Sequence, residues 1–226
     1  MGQFTLQGNP PVDIILRRSA RARRLSLRVS QLDGRVTMTL PKGVSERDAR
    51  RFAEEKAGWI AGALSRRGES IDVVPGSILP VEGQSRHVAT GTGRSARLLP
   101  GTLMVPEGRP GPAAAALLKH MARDRLAGAV ERFAEMVDRP YGRLTLRDTR
   151  SRWGSCSSEG NLMFSWRLIL APKDVLDYVA AHEVAHLVHM DHSPAFWGVV
   201  GDIFQGYNAQ RHWLRREGHA LHRFRF

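Results

Sequence analysis

Residues 174–194 read Asp174-Val175-Leu176-Asp177-Tyr178-Val179-Ala180-Ala181-His182-Glu183-Val184-Ala185-His186-Leu187-Val188-His189-Met190-Asp191-His192-Ser193-Pro194, and this stretch decides what is expected of the rest. Its apolar spacing predicts a helix from Asp174 to His189. At about 100° per residue, His182 and His186 fall about 40° apart and one turn along, so both imidazoles can reach one metal ion. Glu183 points about 60° from His186, close enough to touch a metal-bound water without being a ligand. Two nitrogens holding Zn²⁺ beside a carboxylate that takes the water's proton is what zinc-dependent hydrolysis requires. The neighbours Val179, Val184, Ala185 and Val188 point to a buried helix rather than a solvated histidine-rich surface.

A catalytic zinc usually takes a third protein ligand and keeps one position for water. In a continuous helix His189 would share the face of His182, but about 10.5 Å further along the axis, too far to share the ion comfortably. His192 is favoured, because His192-Ser193-Pro194 after Met190-Asp191 reads as a chain reversal and a new helix start. His189 is then expected beside the ion's neighbours or on the cleft wall, and Asp202 is the remaining alternative as a ligand.

Working outward, residues 143–149 and 161–169 read as paired strands joined by a turn at Ser157-Ser158-Glu159-Gly160. Upstream, Leu118, Met121, Ala122, Leu126, Ala129, Val130, Phe133, Met136 and Val137 recur at three- and four-residue steps and predict a long amphipathic helix ending before Pro140. The Pro/Gly cluster at 106–112 marks a boundary. Before it, residues 12–40 alternate as strands with a turn at Asp33-Gly34, and Ser45 caps a helix that ends at Gly68. Residues 76–106 suggest a small irregular sheet. The expected organisation is a β-rich region with one helix over residues 1–108 and a second domain over 109–226, in the α+β class.

The chain has 226 residues, 42% of them hydrophobic, enough for a sizeable core. No apolar run approaches the roughly 20 residues of a bilayer crossing. The opening Met1–Leu6 lacks the regions of a signal peptide, and with one cysteine a reducing, cytoplasmic setting is expected. Thirty-four Lys and Arg against 22 Asp and Glu give a net charge of +12, with +7 in residues 1–70 and only +1 in residues 151–226. That distribution suggests weak nucleic-acid or nucleotide contact through the basic N-terminal region, including Arg17, Arg18, Arg21, Arg23 and Arg24. Compositional drift toward arginine explains the excess equally well.

The segment Arg152-Trp153-Gly154-Ser155-Cys156, followed by His182-Glu183-x-x-His186-x5-His192-Ser193-Pro194-Ala195-Phe196-Trp197, closely resembles the YgjP-like metallopeptidases, relatives of the SprT and WLM zinc proteases. The resemblance extends to Arg24–Val29, Pro41, Trp59-Ile60, Leu168–Pro172, Tyr178-Val179 and Trp213-Leu214. It implies a zincin-like catalytic domain in the C-terminal part, one Zn²⁺ per chain on His182, His186 and His192, Glu183 as catalytic base, and a polypeptide substrate. The ligand spacing also matches metzincins, but their turn glycine is His189 here and no Met-turn is evident.

Arg152 is the candidate substrate-binding residue: the strand ending there would border the cleft and the guanidinium could steady an oxyanion. Trp153 and Cys156 are expected to pack between the strand pair and the metal helix, with Gly154 in a turn. Phe196 and Trp197 should lock the His192 loop, while Asn208, Arg211 and Trp213 cap and pack the last helix. Two further functions compete with a peptidase. One is a nucleoside triphosphate pyrophosphatase, suggested by the arginine excess but lacking a Walker-type loop; the other is a nucleic-acid-associated protease of the SprT type.

Overall fold

The computed structural model describes residues 2–30, 34–65 and 69–226. The chain divides into two compact units, residues 1–69 and 70–226. In the first unit, β1 (Gln3–Leu6), β2 (Val12–Arg18), β3 (Ser26–Val29) and β4 (Val36–Leu40) form a sheet of order β1-β2-β4-β3. β3 and β4 pair antiparallel, as the turn signal anticipates, although Asp33 of that turn lies outside the described residues. The alternation in β4 buries Val36, Met38 and Leu40 on one face, where they join Ile14, Ala53 and Ile60 in the unit's own core.

The single helix expected after Ser45 is two. α1 (Glu46–Glu55) and α2 (Ala57–Ser65) are separated at Lys56, whose φ of −99° and ψ of 6° leave the helical region. The Lys56 N–H is shared between the carbonyls of Phe52 and Ala53, at 3.2 and 3.1 Å, which tightens the last turn of α1. The expected stop at Gly68 lies outside the described residues.

The second unit opens with β5 (Ile71–Asp72), then β6 (Ile78–Val81), β7 (Gln84–Thr90), β8 (Arg97–Leu99) and β9 (Thr102–Val105), the last four in the order β6-β7-β9-β8. The compact division therefore falls at residue 69/70 and not near 108. The reason is a shared core. Leu79, Val81, Val88, Leu103 and Val105 point into the same buried cluster as Leu118, Leu126 and Val130 of the long helix α3 (Pro110–Met136).

Beyond α3, β10 (Leu144–Arg147), β11 (Gly154–Cys156) and β12 (Leu162–Ser165) form a sheet of order β10-β12-β11. β12 is the middle strand, parallel to β10 and antiparallel to β11, which leaves β11 at the edge. The strand expected over 161–169 ends at Ser165, and Trp166–Leu170 is a 3-10 helix. Four of its five residues are buried, and one polar position, Arg167, in so short an apolar stretch gives no periodicity to separate strand from helix. Next come α4 (Lys173–Ala185), α5 (Pro194–Ile203), α6 (Asn208–Glu217), a 3-10 helix Gly218–His222 and β13 (Phe224–Arg225). β13 pairs parallel with β5, and Arg225 clasps Asp72 with two bonds of 2.7 Å.

Polar ties set the position of α4. Asp177 meets Arg132 of α3 at 3.3 Å, and Asp174 accepts from the Gln210 side chain of α6 at 2.7 Å. The turn between β6 and β7 docks on the start of α4: at Gly83 (φ +76°) a Cβ would stand 2.9 Å from the Pro172 Cα. In the first unit, Ser45 accepts from the Asp48 N–H at 3.1 Å and caps α1. Replacing Ser45 by Ala is expected to cost about 1 kcal/mol, read as faster native-state hydrogen exchange of the α1 amides.

Candidate metal centre

α4 carries His182 and Glu183 and ends at Ala185, with His186 as its C-cap. The helix does not continue regularly to His189 as the periodicity suggests. Leu187 and Val188 donate to the carbonyls of Val184 and Ala185 in tightened three-residue steps, and the chain turns away. His186 Nδ1 lies 2.9 Å from the His189 carbonyl oxygen. A carbonyl only accepts, so Nδ1 holds the proton and Nε2 presents a lone pair. The reversal then closes on Ser193, which caps α5 by accepting from the Phe196 N–H at 3.4 Å, with Pro194 in the first turn.

This path brings His192 back over α4. Its Nε2 stands 3.2 Å from the Nε2 of His182. Ring nitrogens of His182, His186 and His192 all lie within 4.8 Å of one another, and among the described residues they form the one cluster of His, Cys, Asp or Glu able to share an ion. The ring of His189 and the exposed carboxylate of Asp202 stand outside that cluster. Three imidazoles with converging nitrogens suit a borderline ion such as a divalent zinc, and the tautomer fixed at His186 leaves its Nε2 able to coordinate. Burial holds the His182 imidazole neutral, down to about 3, helped by the charges on His186, His192 and Arg211. His186 is lowered too, chiefly by burial.

Aromatic packing sets the three rings. Phe196 is fully buried and its ring centroid lies 5.0, 4.5 and 4.9 Å from those of His182, His186 and His192. Trp197 flanks His182 and His192 at 5.6 and 5.9 Å. It stacks on Tyr207, which stacks on Tyr178, while the Arg211 guanidinium lies over its ring at 4.2 Å. Phe196 and Trp197 thus lock the His192 loop as expected. Arg211 and Tyr207 belong to the surroundings of the centre, which their positions 20 residues and more downstream of α4's histidines gave no reason to suspect.

Glu183 is 6% exposed. Burial pushes its carboxyl up to about 8, against the pull of the Arg152 guanidinium. Together with Ser151, Arg152, Gly154, Ser155, Cys156, Met190 and the three histidines it lines a cleft of about 490 Å³. Arg152 is exposed in the loop before β11 rather than at the end of a strand; the strand bordering the cleft begins at Gly154. Trp153 packs elsewhere than expected, on His222 at 5.0 Å and beside Gly218, both in the C-terminal 3-10 helix. Cys156 lines the cleft as a thiol held up at about 11 by burial and by Glu183.

Helices and strands thus combine in an α+β protein with a three-histidine centre beside a buried glutamate, the outline of a metal-dependent hydrolase. A profile of the YgjP-like metallopeptidase domain matches residues 23–217, and the chain belongs to that family. Among solved structures, the metallopeptidase zymogen of Pyrococcus abyssi abylysin is similar at 18% identity and a TM-score of 0.37, over 41% of this chain and 95% of that one. No curated protein matches.

Phe196→Ala removes the ring that touches all three imidazoles. The variant is expected to lose about 3–5 kcal/mol of stability, measured by denaturant unfolding of the metal-free protein.

Proposed function

We propose that this protein is a zinc-dependent peptidase in which His182, His186 and His192 hold one ion and Glu183 carries the proton. The observation that carries this reading is the cluster of three imidazoles beside a buried carboxylate, in a cleft bounded by a free strand edge. An ion held there supplies a polarised water and a Lewis acid toward the peptide carbonyl. The positive charge of an ion beside it would favour the ionised form of Glu183, and that carboxylate would accept the proton of the attacking water and pass it to the departing amine nitrogen. Arg152 borders the cleft, so its guanidinium can steady negative charge growing on the carbonyl oxygen.

The position of β11 supports a peptide substrate. As the last strand of its sheet, β11 has no further strand paired with it among the described residues, and an extended chain can add there as another strand. Substrate amides and carbonyls then supply most of the binding, with little demand on side-chain identity. Among the described residues lining the cleft, Arg152 is the one Lys or Arg, so beyond the ion itself little positive charge faces a triphosphate. This favours peptides over nucleotides. No helix of the described residues is long and apolar enough to cross a membrane.

The test uses zinc-loaded protein with dye-labelled unfolded casein and, in parallel, nucleoside triphosphates. Glu183→Gln is expected to keep its zinc and lose at least ~10²-fold in casein cleavage. His192→Ala should lose zinc as His186→Ala does. His189→Ala, which leaves the backbone carbonyl in place, should keep it. Hydrolysis of triphosphates but not casein, or an active Glu183→Gln, would overturn the reading.

A further inference from the structure

Gly154 opens the edge strand β11, with Phe164 of β12 as its partner. Glycine is a poor strand residue, and inside a strand it usually marks a bulge, a bend or a close approach. Its backbone needs no glycine, since Gly154 is absent from the positive-φ residues of the chain. Space is the remaining reason. A Cβ at this position would stand 2.5 Å from Oε1 of Glu183, 2.6 Å from its Cγ and 2.7 Å from its Cδ, against the roughly 3.5–4.0 Å of an ordinary carbon contact.

Nothing else described in the structure pins that carboxylate. Among the described residues no hydrogen bond or ion pair to Glu183 is present, and Arg152 acts on it only through its charge. The carboxylate is therefore placed by walls: its own helix α4 on one side and the bare backbone of β11 on the other. We infer that Gly154 is a positioning residue for Glu183, its missing side chain being the slot that holds the carboxylate in the cleft beside the histidines. This rests on the reading of Glu183 as the proton carrier. The atoms that must yield to an added methyl are the Oε1, Cγ and Cδ of Glu183, side-chain and not backbone atoms, so the fold and the ion should survive the substitution while the carboxylate is displaced.

The experiment compares wild type, Gly154→Ala, Glu183→Gln and the double variant Gly154→Ala/Glu183→Gln, each zinc-loaded, with labelled casein. Gly154→Ala is expected to retain zinc and to lower kcat by at least ~10²-fold with KM changed less than about threefold, because the added Cβ faces α4 and not the strand edge. In the Glu183→Gln background the same change should cost nothing more, since residues acting through one group are not additive. A Gly154→Ala enzyme within threefold of wild type, or losses that multiply in the double variant, would overturn the inference. An active Glu183→Gln would instead overturn the role of Glu183 itself.

Melting temperatures decide the matter independently of activity. If Gly154→Ala is destabilised, Gly154→Ala/Glu183→Ala should recover the stability of Glu183→Ala, because removing the carboxylate empties the slot. Equal destabilisation in both backgrounds would mean that Gly154 makes room for something other than Glu183, and the inference would fail.

Discussion

The hydrogen bond from His186 Nδ1 to the His189 carbonyl, 2.9 Å long, is the interaction on which the centre depends. It fixes one imidazole as the tautomer with a free Nε2. It also holds the backbone of residues 186–189 in a tight turn that takes the chain off the axis of α4. Had the helix run on, His192 would have left along that axis and the third imidazole would be missing. Proton placement and chain direction are thus set by one bond, and Ser193 and Pro194 only have to restart a helix in the new direction.

The rest of the second unit serves to present that turn to a strand edge. β12 lies between β10 and β11 with Leu162, Phe164 and Ser165 buried, so β11 is paired on one side and, among the described residues, has no strand on the other. The 3-10 helix after β12 carries Arg167, whose guanidinium binds Asp148 at 2.6 and 3.1 Å and donates to the carbonyls of Leu221 and Phe224 at 3.2 and 3.0 Å. The loop leading to Arg152 is thereby anchored to the C-terminal segment on which Trp153 packs. Few of these ties touch the cleft, yet they set where its wall stands.

Much of the centre was legible in the sequence because it obeys local rules. One-turn spacing puts His182 and His186 on one face, and a proline after serine signals a helix start, so His192 is favoured as the third imidazole while His189 and Asp202 stay open. The long helix α3 was legible for the same reason. What escaped depended on tertiary neighbours. Gly154 reads as a turn residue until Glu183 is seen against it. Trp153 reads as a partner of the metal helix, but its ring goes to His222. Lys56 interrupts an apolar stripe that looks continuous, and the 3-10 helix Trp166–Leu170 hides in a run with no periodicity. The strands of residues 78–105 look like part of an N-terminal domain, since nothing local tells which helix their apolar faces will cover.

Phe196 has a consequence for how ion binding and folding are coupled. Its ring belongs to the same buried cluster as Leu118, Phe164 and Val179, so the imidazoles rest on side chains that already form the hydrophobic core. In small zinc-dependent modules the ion supplies the free energy that orders the chain, and the apo form is unfolded. Here the three imidazoles pack on Phe196, a member of the main hydrophobic core. The free energy of ion binding at the proposed site would then enter global stability as the mass-action increment set by affinity and free-ion concentration. On the proposed reading, an ion would therefore be linked to folding as a ligand of a core-packed chain rather than as the nucleus of that core.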